Sequence, residues 1–249
     1  MFKKIWRWIQ KFSSPKYFYE MSGRLIPWLA AIATILCIYG IYTGLFVAPT
    51  DYQQGESYRI IFIHVPAAWM SLFIYVVMAA SSAIGIIWRI RLADMIASAS
   101  APIGAWFTFL ALVTGSLWGK PMWGSYWEWD ARLTSELILL FLYFGYMALQ
   151  SAIEDQQMAD KASGLLAIVG VVNIPIIHYS VEWWNTLHQG ATVAKFDKPS
   201  MHIDMLIPLL VMAFAAKFFY AFAVLVRARN EALYRDRNRR WVRELIEKI

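Results

Sequence analysis

Apolar residues gather along the chain into six long runs separated by short polar stretches. The runs lie near Leu25–Ala48, Ile60–Trp88, Ala93–Leu117, Leu133–Ala152, Gly164–Tyr179 and Met205–Val226. A helix needs about 20 apolar residues to cross the hydrocarbon core of a bilayer. The pattern therefore predicts an all-α, polytopic integral membrane protein with six transmembrane helices, in a single domain over residues 1–249. The fifth run is the shortest and contains Asn173 and Pro175. The first is too long for the apolar part of a signal sequence, and no small-residue cleavage site follows it, so it reads as a span. No internal repeat, low-complexity tract or linker divides the chain.

Composition agrees with the pattern. Of 249 residues, 59% are hydrophobic and 16% charged, whereas a soluble domain has roughly 25% charged residues. Disorder is excluded, because it requires low hydrophobicity. The net charge is +6, and its meaning depends on where the charges fall. With the N-terminus inside, only Arg59, Lys120, Arg132, Lys195 and Lys198 lie in outer segments, and Lys217 lies within the last span. Every other Lys and Arg falls in an inner segment. The positive-inside rule then predicts that both termini are cytoplasmic. The basic surplus becomes a matter of topology, and no nucleic-acid partner is expected.

Residues 1–22 form a predicted cytoplasmic amphipathic segment. Ile5, Trp8, Ile9 and Phe12 fall at helical spacing among Lys3, Lys4, Arg7 and Lys11, which suits a helix lying on the lipid bilayer. Residues 228–249 make a basic tail, either surface-bound or solvated. The single cysteine, Cys37, excludes an internal disulfide, a CxxC redox pair, a cysteine zinc site and a CxxCH covalent haem site.

The chemistry-bearing residues collect on the predicted outer face. His64 opens the second span. Residues 118–132 form a predicted outer loop, and residues 180–204 form another that carries His188. The middle loop holds Trp118, Trp123, Trp127 and Trp129. Tryptophan ordinarily serves as an interfacial belt, spread over many helix ends. Four crowded into one loop with Gly and Pro suit a large, flat, apolar ligand instead. A lone histidine near a helix end is most often a hydrogen-bonded structural residue. Two flanking a tryptophan platform suit paired ligation of haem iron. His178 is expected to be structural, with Asn173 as a partner, and His202 a bystander. Arg59 and Arg132 are either headgroup anchors or binders of haem propionates. Asp130 is expected to cap the fourth span, to orient Arg132 or a ligand histidine, or both. The Gly115–Lys120 stretch lacks the spacing of a phosphate loop, so no ATP site is expected.

Trp123-Gly124-x-x-Trp127-x-Trp129-Asp130 is similar to the WGxxWxWD signature of haem-handling membrane proteins. With Tyr58-Arg59-Ile60-Ile61, His64-Val65-Pro66-Ala67-Ala68 and the stretch from His178 to Gly190, the chain resembles the cytochrome c maturation protein C (CcmC) family over nearly its whole length. The resemblance implies a bacterial inner-membrane protein that binds haem b without a covalent bond on the periplasmic face. It implies delivery to the haem chaperone CcmE, together with the ABC-type partners CcmA and CcmB and the small membrane protein CcmD. It implies His64 and His188 as axial ligands, and Trp118, Trp123, Gly124, Trp127, Trp129 and Asp130 as the haem platform. Such a protein transfers haem and is not a conventional enzyme.

Three other readings compete. A membrane electron-transfer subunit with a resident b-type haem usually places its ligands deep in paired helices. A transporter would use intramembrane charges, for which Glu136 and Lys217 are the candidates. A structural scaffold for the ABC partners would not need the Trp loop.

Overall fold

The computed structural model describes residues 13–247, apart from 185, 189, 191, 192, 194, 196 and 197. The amphipathic stretch read over Ile5–Phe12 lies outside the described residues. Eight α-helices follow in chain order: α1 Pro15–Tyr42, α2 Ile61–Trp88, α3 Arg91–Trp123, α4 Ala131–Ala152, α5 Gln156–Gly170, α6 Asn173–Trp183, α7 Ile203–Arg235 and α8 Arg240–Ile246. A π-helical turn, Thr43–Val47, closes α1, and a 3-10 turn, Glu56–Ile60, leads into α2. Among the described residues the β-pairing is an isolated bridge between Asp51 and Gly55. Among the described residues six helical segments are long and apolar enough to cross a membrane, α5 and α6 together making the fifth. The chain is a multi-pass membrane protein of the all-helical class.

In hydrocarbon every backbone N–H and C=O must find a partner within the protein, and a helix supplies one for each. Packing then depends on close contact, because lipid gives helices no hydrophobic reason to associate. Helix α3 meets that need with small residues. Ala97, Ala101, Gly104, Ala105, Thr108 and Ala111 are all buried along it. It is the most buried span and packs mainly on α2; α1 is the least buried and lies against α7. The core between α2, α3 and α4 contains Met70, Ile74, Tyr75, Met78, Leu139 and Tyr143.

The fifth span is broken, as its Pro175 implies. A proline there has no N–H for the Val171 carbonyl, and its ring crowds that carbonyl. Val171 and Val172 instead make tight turns back to Ile168 and Val169, at 3.3 Å each. Asn173, just after the break, donates its side-chain N–H to the Ser135 carbonyl of α4 at 2.9 Å. It does not pair with His178, which is exposed and packs edge-on against Tyr179 at 4.8 Å.

The end of the bundle that carries both described termini is held by ion pairs. Arg235 grips Asp160 of α5 through two nitrogens, at 2.6 and 3.0 Å, and Glu231 at 2.6 Å. Asp236 takes Arg91 at 2.7 Å and the Trp241 indole at 3.0 Å. Arg229 lies 3.7 Å over the Tyr19 ring. The described part of the basic tail is thus pinned to the bundle, and α8 is part of it. His202, expected to be a bystander, caps α7: its Nδ1 accepts from the Asp204 N–H at 3.3 Å.

At Gly104 a Cβ would lie 2.2 Å from Tyr143 Cζ. Tyr143 is fully buried and donates to the Ser71 carbonyl at 2.8 Å, so it has no room to withdraw. Gly104→Ala is expected to destabilise the protein by about 1–3 kcal/mol through overpacking. A lowered melting temperature of the detergent-solubilised protein checks this; an unchanged one refutes it.

Candidate functional site

One end of the bundle gathers most of the residues singled out from the sequence. Helix α3 continues through Trp123 and takes in the first six residues of the expected middle loop, so Trp118 and Trp123 both ride on its last turns. Gly124 ends the helix in the left-handed conformation, with φ of 83° and its N–H bonded to the Lys120 carbonyl at 3.1 Å. Only glycine takes that conformation without strain. The loop proper is therefore the short stretch to Asp130.

Asp130 does two things at once. Its Oδ1 accepts the Leu133 N–H at 2.8 Å, capping α4. Its Oδ2 lies 2.9 Å from Nδ1 of His188. Burial pushes the Asp130 carboxyl up, but the bonds from His188 and from the Leu133 and Leu187 N–H groups outweigh it and hold the carboxyl below its ordinary range. The carboxylate only accepts, so a neutral His188 carries its hydrogen on Nδ1 and keeps a lone pair on Nε2. The Trp123 ring packs edge-on against this imidazole at 4.8 Å.

His64 is arranged in the same way from another helix. It sits in the first turn of α2, half-buried, with Nδ1 3.1 Å from the Ala111 carbonyl and 3.0 Å from Thr114 Oγ1. The Thr114 hydroxyl hydrogen goes to the Leu110 carbonyl at 2.6 Å, so its oxygen is free to accept. Nδ1 of His64 is therefore the donor, and Nε2 again keeps its lone pair. Trp118 stands edge-on to His64 at 5.7 Å and donates its indole N–H to Gln54 Oε1 at 3.0 Å. Trp118 and Trp123 stand little more than one turn apart on α3, so the fold brings the two histidines to the same end of the bundle.

The two arginines differ. The Arg59 guanidinium is bonded to Glu56 and to the Gly44 carbonyl, the latter at 2.9 Å. It ties the turn before α2 to the π-helical end of α1. Arg132 stands in the first turn of α4, one turn above buried Glu136. It forms no ion pair among the described residues. Glu136 accepts from Ser71 at 2.6 Å.

The remaining tryptophans are open. Trp129 is 75% exposed and meets Trp127 edge-on at 5.4 Å. The indole N–H of Trp127 is buried and has no partner among the described residues. An apolar recess of about 340 Å³ lies beside it, lined in part by Phe109, Val113, Leu117 and Leu140. Trp183 and Trp184 are half exposed, and Trp183 stacks on Tyr179 at 5.3 Å.

Gln54 and Thr114, which hold Trp118 and His64, went unnoticed in the sequence. Thr114 carried a signal, since a polar residue inside a span usually faces another helix. Gln54 carried none, because the pair joins residues far apart in the chain. Among the described residues no group of three or more His, Cys, Asp or Glu forms a metal cage. What this end offers instead is one open imidazole nitrogen from each of two histidines.

Fold and site together define a six-span membrane protein with two histidines and a tryptophan-rich surface at one end of the bundle. Residues 8–243 match the family model described as CcmC, heme exporter protein C. The chain is 49% identical to heme exporter protein C of Haemophilus influenzae, covering 98% of this chain and all of that protein. It is 50% identical to the Escherichia coli K12 protein of that name, covering 98% of each. It is 47% identical to a putative cytochrome c biosynthesis ccmC-like mitochondrial protein of Marchantia polymorpha, covering 82% of this chain and 86% of that one. The chain belongs to the CcmC family.

The Asp130 bonds predict a pH effect. A carboxyl held below its ordinary value stabilises the fold fully above its unfolded pKa, about 3.9. That contribution is lost as pH falls through the lower folded value. Melting temperatures measured from pH 6 downward are therefore expected to fall more steeply below about pH 4 in the natural protein than in Asp130→Asn. Parallel curves overturn the assignment.

Proposed function

We propose that the chain binds haem b without a covalent bond at this end of the bundle and passes it to another protein. One observation carries the reading: His64 and His188 each spend Nδ1 on a fixed acceptor and keep an Nε2 lone pair, beside tryptophan rings. A metal-bound histidine typically donates its other nitrogen to a carboxylate or carbonyl in this way, which fixes the ring's tautomer and direction. In this reading His64 and His188 are the axial ligands. Trp118, Trp123, Trp127 and Trp129 cover the porphyrin faces, at about 25 cal/mol per Å² of apolar surface buried. Gly124 and Asp130 shape the platform. Arg132, which forms no ion pair among the described residues, takes a propionate. Arg59 contributes at most a remaining N–H, since Glu56 and Gly44 already hold it.

The site lies at a bundle end, with Trp129 open, so one edge of the haem stays accessible to an acceptor. Ligation without a covalent bond allows release. The names of the relatives support haem export and cytochrome c biogenesis as the setting. The scarcity of Lys and Arg in the outer segments supports a site on the periplasmic side, and the CcmC relatives support a bacterial inner membrane as its setting. The haem chaperone CcmE is then the acceptor, with CcmA, CcmB and CcmD as the working complex. A resident electron-transfer haem fits less well, because both histidines stand at the bundle end.

His64→Ala and His188→Ala are each expected to abolish the bis-histidine absorbance spectrum of the purified, haem-loaded protein. Natural spectra in both variants remove these residues from the ligand role. Arg132→Ala is expected to keep that spectrum but to weaken haem retention during gel filtration roughly tenfold, the size of a charged hydrogen bond. Unaltered retention counts against the propionate contact.

A further inference from the structure

Lys217 is a cation in the middle of a hydrocarbon-length segment. It faces out of the bundle from α7. At 1.5 Å per residue it lies about 18 Å from Met205 and about 15 Å from Arg227, the two ends of the apolar stretch. Its four-carbon stem is too short to carry the ammonium to water at either side. No carboxylate pairs with it among the described residues, and Glu136 is buried and bonded to Ser71. Its ammonium rests over two aromatic rings, 5.8 Å from the Phe214 centroid and 5.9 Å from the Phe73 centroid. Phe73 and Phe214 are both substantially exposed, as are Val76 and Phe219 on the same two helices.

A charge at this depth is costly and is normally matched by a partner group. Acyl chains offer no acceptor, and phosphate headgroups lie too far away. A second copy of this chain on a twofold axis would bring two lysines together. The backbone acceptors of a neighbouring helix are already used within that helix. What remains is an acidic side chain at the same depth. We propose that the face formed by Phe73, Phe214 and Lys217 is covered by a transmembrane helix of a partner subunit, and that an Asp or Glu on that helix pairs with Lys217. The aromatic rings supply close packing, and the ion pair sets the depth and rotation of the partner. This docking face is separate from the site bearing His64 and His188 and does not rest on the haem reading.

The test uses the full-length chain in its native membrane with its partners, carrying the photo-cross-linker p-benzoylphenylalanine at Phe214. After irradiation the adduct is sequenced by mass spectrometry. The expected adduct is one transmembrane peptide of another subunit, attached within a helical turn of an Asp or Glu. Lys217→Met, which only removes a charge from an apolar setting, is expected to lower its yield roughly tenfold at unchanged membrane abundance. Lys217→Glu is expected to abolish the adduct, and replacing the partner's acid by lysine to restore it. Adducts confined to lipid, to this chain or to a second copy overturn the proposal. So do a partner peptide with no acid nearby, the absence of any adduct, or an undiminished yield in Lys217→Met.

Discussion

Close approach of α2 and α3 is the constraint on which the rest depends. Hydrocarbon gives helices no reason to associate beyond what they gain by touching, so the contact must be intimate. The alanines, Gly104 and Thr108 along α3 permit it. His64 reaches from α2 to the Ala111 carbonyl of α3 only because the backbones lie so near. Tyr143 of α4 fits over Gly104 and reaches Ser71 of α2 for the same reason. A bulkier residue in this seam pushes the helices apart and loosens the histidine above it.

Asp130 plays the corresponding part for the second histidine. His188 lies outside any helix, and a loop side chain is expensive to hold in one orientation. The carboxylate that caps α4 holds it by one further bond, so helix start and histidine position are fixed together. Neither histidine depends on a flexible partner. One is set by the backbone of α3 and the other by the start of α4. Arg132 follows on the same helix turn as Asp130, which accounts for the mutual nearness of these charged groups.

The two ends of the bundle are built differently. The end bearing the described termini is closed by Arg235, Asp160, Asp236 and Arg91, which satisfy one another. Among the described residues the site end keeps polar groups unspent: the Trp127 indole N–H, the Nε2 atoms of His64 and His188, and Arg132. An end held by mutual pairing suits anchorage, and an end with unspent donors and acceptors suits a ligand that comes and goes. Lys217 stands apart from both, at mid-depth on the outside, where only another protein chain has a suitable group to offer.

The spans were legible in the sequence because twenty apolar residues in a row have one stable use in a bilayer; the fifth was read as one run, and the structure breaks it beside Pro175. Asp130 as a cap was legible because capping is local, set by the next few residues. The signature tryptophans and the two histidines stood out by composition and by resemblance. Only the tertiary structure decided how these parts meet. That α3 runs through Trp123 despite Pro121, that Arg59 is consumed by Glu56 and Gly44, and that Asn173 serves Ser135 all depend on neighbours distant in sequence. The free nitrogen of each histidine was likewise decided by a carbonyl and a carboxylate from other segments. The sequence determined which residues enter the membrane, since that follows from transfer energies one residue at a time. Which atoms remain available for chemistry depends on which partners have already been taken, and only the packed fold settles that.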